Sequence, residues 1–405
     1  MRSSVAACLG VLVPACFQPV YEGTACGPNN ACPAGLICRL DQNVCGQPTS
    51  VGLDAAVVDG SIGSTVVDAS SDASVDATAR PDAQACFGTL PRICFTALPT
   101  AAVQIAAGTV IDTTNSPMCN PDHDQADKYC VIAGASFTIP TGITLRANGP
   151  KPLVLISTTM KFDLSGSIDV SSKAGTNIGA GGNNEDCVAG PVATLNSGGA
   201  GGSSGGRGGD GKTIDGVGGI AVAGATTFPT KLRGGCKGGA GAGDPIGTGG
   251  NGGGAVEIIG PEVLIGGQIN ASGAAGRGGG PKKCGGGGGG SGGMIVIEAP
   301  VIMLVGTATV FANGGGGAQG GEGKGGGDGA DGGEALDPRV PALGGNRAGL
   351  SGGAGAPGAA GTGSKDGDAA VNAAGSNGGG GGGGGASGFI RAPGATSTMI
   401  APAPE

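Results

Sequence analysis

Residues Gly292–Gly317 read G-G-M-I-V-I-E-A-P-V-I-M-L-V-G-T-A-T-V-F-A-N-G-G-G-G, two short β-branched runs with a Pro between them and polyglycine on either side. Apolar runs of four to eight residues bounded by Gly and Pro are the signal for buried strands, and no helical period competes with it. The phrase recurs at Ala255–Gly273, where Pro261 matches Pro300 and Gly266 matches Gly306. A looser copy is Pro152–Ser172, whose Met160, Phe162, Leu164 and then Ile168, Val170 alternate with period two, and a degraded one is Gly388–Gly394. The spacing of the copies is irregular, and the variable part is glycine insertion. The expectation is an all-β fold, a parallel β-helix or β-solenoid-like stack with long glycine-rich loops leaving one side. Val263 and Ile265 are expected to face Met303 and Val305 on the next rung.

The chain has 95 Gly in 405 residues, with 8 Phe, 2 Tyr and no Trp, against about 7% Gly in ordinary proteins. Only ten of the glycines precede residue 131, so the bias belongs to the repeat region. Fixing glycine in regular structure costs roughly 0.5–1 kcal/mol more than fixing alanine, so the tracts either stay mobile or are hydrogen-bonded in a repeating lattice. From Gly314 to Gly332 every third residue is Gly, the period of an extended three-residue helix. Two readings stand: polyglycine helices packed through backbone hydrogen bonds, or loops. Collagen is set aside because the tracts are short and poor in Pro. On the loop reading, deleting Gly320–Gly332 is expected to be nearly neutral.

Residues 1–15 hold one Arg and the apolar run Val5–Val13, followed by Val13-Pro-Ala-Cys16. This is the pattern of a lipoprotein signal peptide that leaves Cys16 as the acylated N-terminus; an ordinary secretory leader is the alternative. Cys26, Cys32, Cys38 and Cys45 follow within twenty residues. They read as two disulfides of open connectivity stapling a Cys-rich knot over 16–45, and a zinc site is disfavoured by the lack of His and of a C-x2-C pair. Residues 46–85 carry six Asp against one Arg, which is −5 of the net charge of −8. Such a segment repels itself, and the expectation is a disordered linker spanning about 35 Å. Residues 86–135 hold Cys86, Cys94, Cys119 and Cys130 and read as a disulfide-bonded cap over the first rung of a glycine-rich repeat domain at 136–400. Cys119 is paired with Cys130 and Cys187 with Cys236, leaving Cys284 as the odd thiol.

Signal, C…C-P-x-G-x-x-C…C knot, Asp-Ala tether and glycine-rich β-domain together resemble predicted glycine-rich surface lipoproteins of myxobacteria, a family of unknown function. The resemblance spans the chain. It implies export and lipid anchoring at the outer membrane or cell surface, and it implies no activity.

The strongest oxygen-ligand cluster is Asp122, Asp124 and Asp127 beside the chain's one His, His123. A hard cation such as calcium is the ion this set would take, against the blander reading of a solvated loop; no other cofactor is expected. Gly206–Thr213 fits a phosphate-loop pattern but lacks the strand before it and the helix after it. Gly205–Asp210 and Gly326–Asp331 begin the calcium-binding nonapeptide but put Lys212 and Gly333 where it needs a large apolar residue. No basic patch interleaved with aromatics exists, which excludes nucleic acid as the expected partner. The expected role is that of a non-enzymatic surface lipoprotein, structural or adhesive, meeting the membrane through its lipid and a surface polysaccharide or protein through its glycine face. The other class weighed is a calcium-dependent, lyase-like carbohydrate-active β-helix enzyme built around Asp122–Asp127, disfavoured by the shortage of aromatics for sugar stacking.

Overall fold

The computed structural model describes residues 37–39, 44–46 and 85–401, apart from 176, 213–215, 324–325, 349–350, 361–363, 374–377 and 396–399. The chain divides into a unit over 1–77 and a unit over 78–405. In the first, Ile37–Arg39 pairs antiparallel with Val44–Gly46, setting Cys38 opposite Cys45 along the backbone. Cys16, Cys26, Cys32 and residues 47–84 of the tether lie outside the described residues, as do the side chains of Cys38 and Cys45.

The second unit is all-β, with no helix among the described residues. Three parallel sheets make its body. Sheet 1 stacks Cys130–Gly134, Leu153–Ser157, Ala255–Ile259, Met294–Glu298 and Phe389–Arg391. Sheet 2 stacks Val103–Gln104, Phe137–Ile139, Phe162–Leu164, Glu262–Ile265 and Val301–Leu304. Sheet 3 stacks Val110–Asp112, Thr144–Asn148, Ser167–Asp169, Gln268–Asn270, Thr309–Phe311 and Ile400–Ala401. From Cys130 to Phe311 each turn of chain gives one strand to each sheet in the order 1, 2, 3 and then climbs, which is a β-solenoid-like stack. Pro261 and Pro300 both stand at the corner between sheets 1 and 2, where a missing N–H breaks no ladder.

Period-two alternation supplies the inside. Ile139, Leu164, Ile265 and Leu304 lie over one another in sheet 2, and Leu145, Ile168, Ile269 and Val310 do so in sheet 3. Phe137 and Phe162 stack with ring centroids 4.7 Å apart. A side chain of this kind contributes roughly 1.5–3 kcal/mol when fully buried, so a charge placed among them loses that and gains an unpaired carboxylate. Ile265→Asp is expected to abolish the cooperative unfolding transition, whereas the same change at the exposed Val305 should leave it nearly in place; circular dichroism melts of the two variants check this.

The register differs from expectation by one residue. Val263 pairs with Ile302 and Ile265 with Leu304, while Met303 and Val305 are 38% and 44% exposed. The 39-residue offset that relates Pro261 to Pro300 persists through sheet 2, and the two extra residues enter only at the next corner, before Gln268 meets Thr309. Met160 is likewise exposed rather than part of the buried alternation. The cap also differs. Residues 103–112 already belong to the stack, and the Ala85–Phe87/Ile93–Phe95 hairpin lies along its side. There Leu90, Ile93 and Phe95 pack with Val154, Ile156, Val296 and Phe389 in a second apolar core on the outer face of sheet 1.

Candidate functional site: the glycine lattice

Residues 170–254, 271–293 and 312–388 all leave the stack after a sheet 3 strand and return to a sheet 1 strand, so the three insertions share one corner. They do not behave as loops. In the tract 285–293, Gly285, Gly288 and Ser291 donate their N–H groups to Ala242, Gly239 and Cys236. Gly286, Gly289 and Gly292 donate to Gly380, Gly383 and Ala386, and Gly287, Gly290 and Gly293 donate to Arg277, Ala274 and Ala271. Every third residue therefore serves the same neighbour, the signature of three residues per turn. The carbonyls serve three further tracts, accepting from Gly199 and Gly202, from Gly247, Gly250 and Gly253, and from Gly315 and Ala318. One tract thus sits inside six.

The tract 379–386 has the same surroundings. It donates to Asn196–Gly202, to Gly315–Gly321 and to Asp368, and accepts from 353–359, 286–292 and 209–212. These two tracts carry the chain's two longest unbroken glycine runs, Gly285–Gly290 and Gly378–Gly385. The reason is close approach: a Cβ at Gly285, Gly287, Gly288 or Gly290 would lie 1.8 to 2.1 Å from a neighbouring carbonyl oxygen. Rim tracts need glycine only where they face inward, and keep it at Gly273, Gly276 and Gly279 while Ala274, Ala275 and Arg277 fill the other positions. Backbone pairing of buried N–H and C=O groups is what makes so much ordered glycine affordable.

The expected neutrality of deleting Gly320–Gly332 does not hold on this geometry, because Gly320, Gly329 and Gly332 donate to Gly353, Gly279 and Gly276. The chance motifs are absorbed too. Gly209, Gly211 and Lys212 of the phosphate-loop match spend their N–H groups on Gly384, Gly219 and Gly381, and Arg207 and Gly208 spend theirs on the side chains of Asp366 and Ser203. Asp210 of the first nonapeptide match accepts from Arg207 and Ala221, and Asp331 of the second from Arg277 and Gly278.

Disulfides join Cys86 to Cys94, Cys119 to Cys130 and Cys187 to Cys236, and Cys284 is a buried free thiol. The acidic loop does not converge: among the described residues no group of three His, Cys, Asp or Glu side chains is placed to hold a metal ion. Asp124 instead accepts from the Cys94 N–H at 2.9 Å, and its own N–H donates to the Cys94 carbonyl. His123 is buried edge-on to Phe95, with its pKa lowered by desolvation. Both tie the side hairpin to the stack.

Glu257 is the polar group the sequence reading passed over. It stands on the outer face of sheet 1 in the ladder Val131, Val154, Glu257, Val296, Arg391, fully buried, with neither carboxylate oxygen hydrogen-bonded. Burial, reinforced by Glu298, pushes its pKa up to about 10, against the pull of the Leu90 N–H and Arg391. The signal was available in the alignment of A-V-E-I-I on M-I-V-I-E, which sets Glu257 on Val296. Glu298 beside it is held by the N–H and hydroxyl of Thr89 in the hairpin.

The fold and site define a class of object, a parallel β-stack carrying a polyglycine lattice on one corner. No protein-family model, no curated protein and no solved structure matches the chain.

Proposed function

We propose that the chain is a non-enzymatic surface lipoprotein, acylated at Cys16 and exported to the outer membrane or cell surface, whose glycine lattice serves a structural or adhesive role. The observation that carries this reading is the enclosure of one glycine tract by six others. Such a body is stiff because its inner tracts are bonded on all sides, and the side chains buried within it are mostly alanine and serine, with the Cys284 thiol among them. What it offers a partner is a surface of backbone, exposed aliphatic side chains such as Leu343 and Val371 and ion pairs such as Arg277–Asp331, suited to contact with a surface polysaccharide or with another protein. The Asp-rich segment over 46–85 would act as the tether between anchor and lattice.

Two measurements test it. Labelling with a radioactive fatty acid should mark the wild type and spare Cys16→Ser; equal label in both removes the anchor. Cells producing the wild type should be retained on a polysaccharide-coated surface better than cells producing either Cys16→Ser or a lattice-breaking glycine variant. Equal retention would sink the adhesive reading, and release of shortened polysaccharide by purified protein would favour the enzyme instead.

A further inference from the structure

We infer that the lattice carries a binding site for an aliphatic monocarboxylate, a chain of about ten carbons, between its surface and the flap at residues 187–193. A cavity of about 390 Å³ lies there, inside the range of roughly 300–1,000 Å³ in which small ligands are held. Its floor is the lattice, with Ala200, Ile220 and Val222 among the contributing side chains, and its flap brings Val188, Pro191 and Val192. The Cys187–Cys236 disulfide fastens the flap to the lattice tract beneath, so the enclosure is built covalently.

Two independent features select the ligand. The first is exposed apolar surface: Val188, Val192 and Ile220 line the cavity and are 73%, 79% and 44% exposed. Apolar exposure gathered at a cavity mouth marks a surface meant to be covered. The second is the state of the polar lining. Asn183 is spent on Asn251 and Gly252, Asn184 accepts from the Asp186 N–H, and Ser203 is spent on Val222 and Gly208. Lys237 lines the cavity, is exposed, and has no ion-pair partner among the described residues. Glu185 and Asp186 line an adjoining groove rather than this cavity. An apolar body with one anionic end satisfies both features, the chain taking the place of water against valine, isoleucine and glycine and the carboxylate meeting the ammonium. The inference does not rest on the adhesive role.

The test is calorimetric titration of decanoate, below its micelle-forming concentration, into the exported protein carrying Cys16→Ser so that no detergent is present. One saturable site is expected. Val192→Ser combined with Ile220→Ser, both at exposed positions, should weaken binding at least tenfold while circular dichroism stays unchanged. Lys237→Gln should weaken decanoate about fivefold to tenfold and leave the neutral analogue decanol as before. No saturable binding by the folded protein, full binding by the double serine variant, or equal losses for decanoate and decanol in Lys237→Gln would each overturn the assignment. So would association with phosphatidylglycerol vesicles alone.

Discussion

Gly288→Ala is expected to disrupt the lattice while leaving the β-stack folded. The added Cβ would lie 1.9 Å from the Ala200 carbonyl oxygen and 2.3 Å from its carbon, both backbone atoms. Relief requires moving the tract that contains Ala200, but that tract is bonded through Gly199 and Gly202 to the same central strand of glycines. Overpacking a side-chain core costs about 1–3 kcal/mol because rotamers can adjust; here nothing but backbone meets the methyl group, so the cost should exceed that range. Gly327→Ala is the control, its Cβ meeting nothing nearer than Arg347 at 3.9 Å, with an expected effect within about 0.5 kcal/mol. Amide hydrogen exchange reads the outcome. Loss of protection at Gly239, Gly250 and Gly289 with retention at Leu155 and Ile258 is expected for the first variant, and unchanged protection would refute the packed lattice.

The second large effect is on pH dependence. Glu257 keeps its proton in the native state up to about pH 10, whereas the unfolded chain releases it near an ordinary carboxyl value of about 4.3. Between those limits the native state binds more protons than the unfolded one, so this group's contribution falls as pH rises, by up to about 1.4 kcal/mol per pH unit. Glu257→Gln removes the titration and keeps the shape. The variant should be no more stable than wild type at pH 4 and more stable at pH 8, by an amount on the order of 4 kcal/mol if the full shift is expressed. Guanidinium midpoints at pH 4, 6 and 8 measure this, and two parallel curves would show that Glu257 is not a buried neutral acid. The charged groups facing it, Glu298 and Arg391, stay in place in both proteins.

How the stack reads in the sequence follows from what each residue type can report. Pro261 and Pro300 mark equivalent corners because proline is tolerated at few places in a sheet, and the alternation Phe162, Leu164, Ile168 marks the inside because period two is a property of the chain itself. The slip at Met303 came from matching Gly266 to Gly306 across a corner of different length. The lattice was legible only as a period of three. What separates a packed tract from a loop is whether six neighbours exist, and these come from residues as far apart as Gly199 and Gly383. The longest glycine runs carry part of the information, since Gly285–Gly290 and Gly378–Gly385 lie in tracts with six neighbours, but the tract 312–321, with Ala318 and Gln319 in it, has six as well. Glu257 was hidden for the opposite reason, since a lone Glu in a strand reads as solvent-facing until the hairpin from residues 85–95 is found lying over it.

The shared corner imposes an arithmetic on how such a gene can grow. A tract that leaves the stack there has to come home to the next rung, so each insertion must make a whole number of round trips. The shortest makes one, with 271–280 outbound, a reversal at Pro281–Cys284, and 285–293 inbound. At about 3.1 Å per residue each leg reaches about 28 Å, and the longer insertions repeat legs beside it. Duplication of a segment of about twenty codons would therefore add a layer without disturbing its neighbours. A gain or loss of one residue within a leg would rotate everything beyond it by a third of a turn, presenting each remaining amide to the wrong strand.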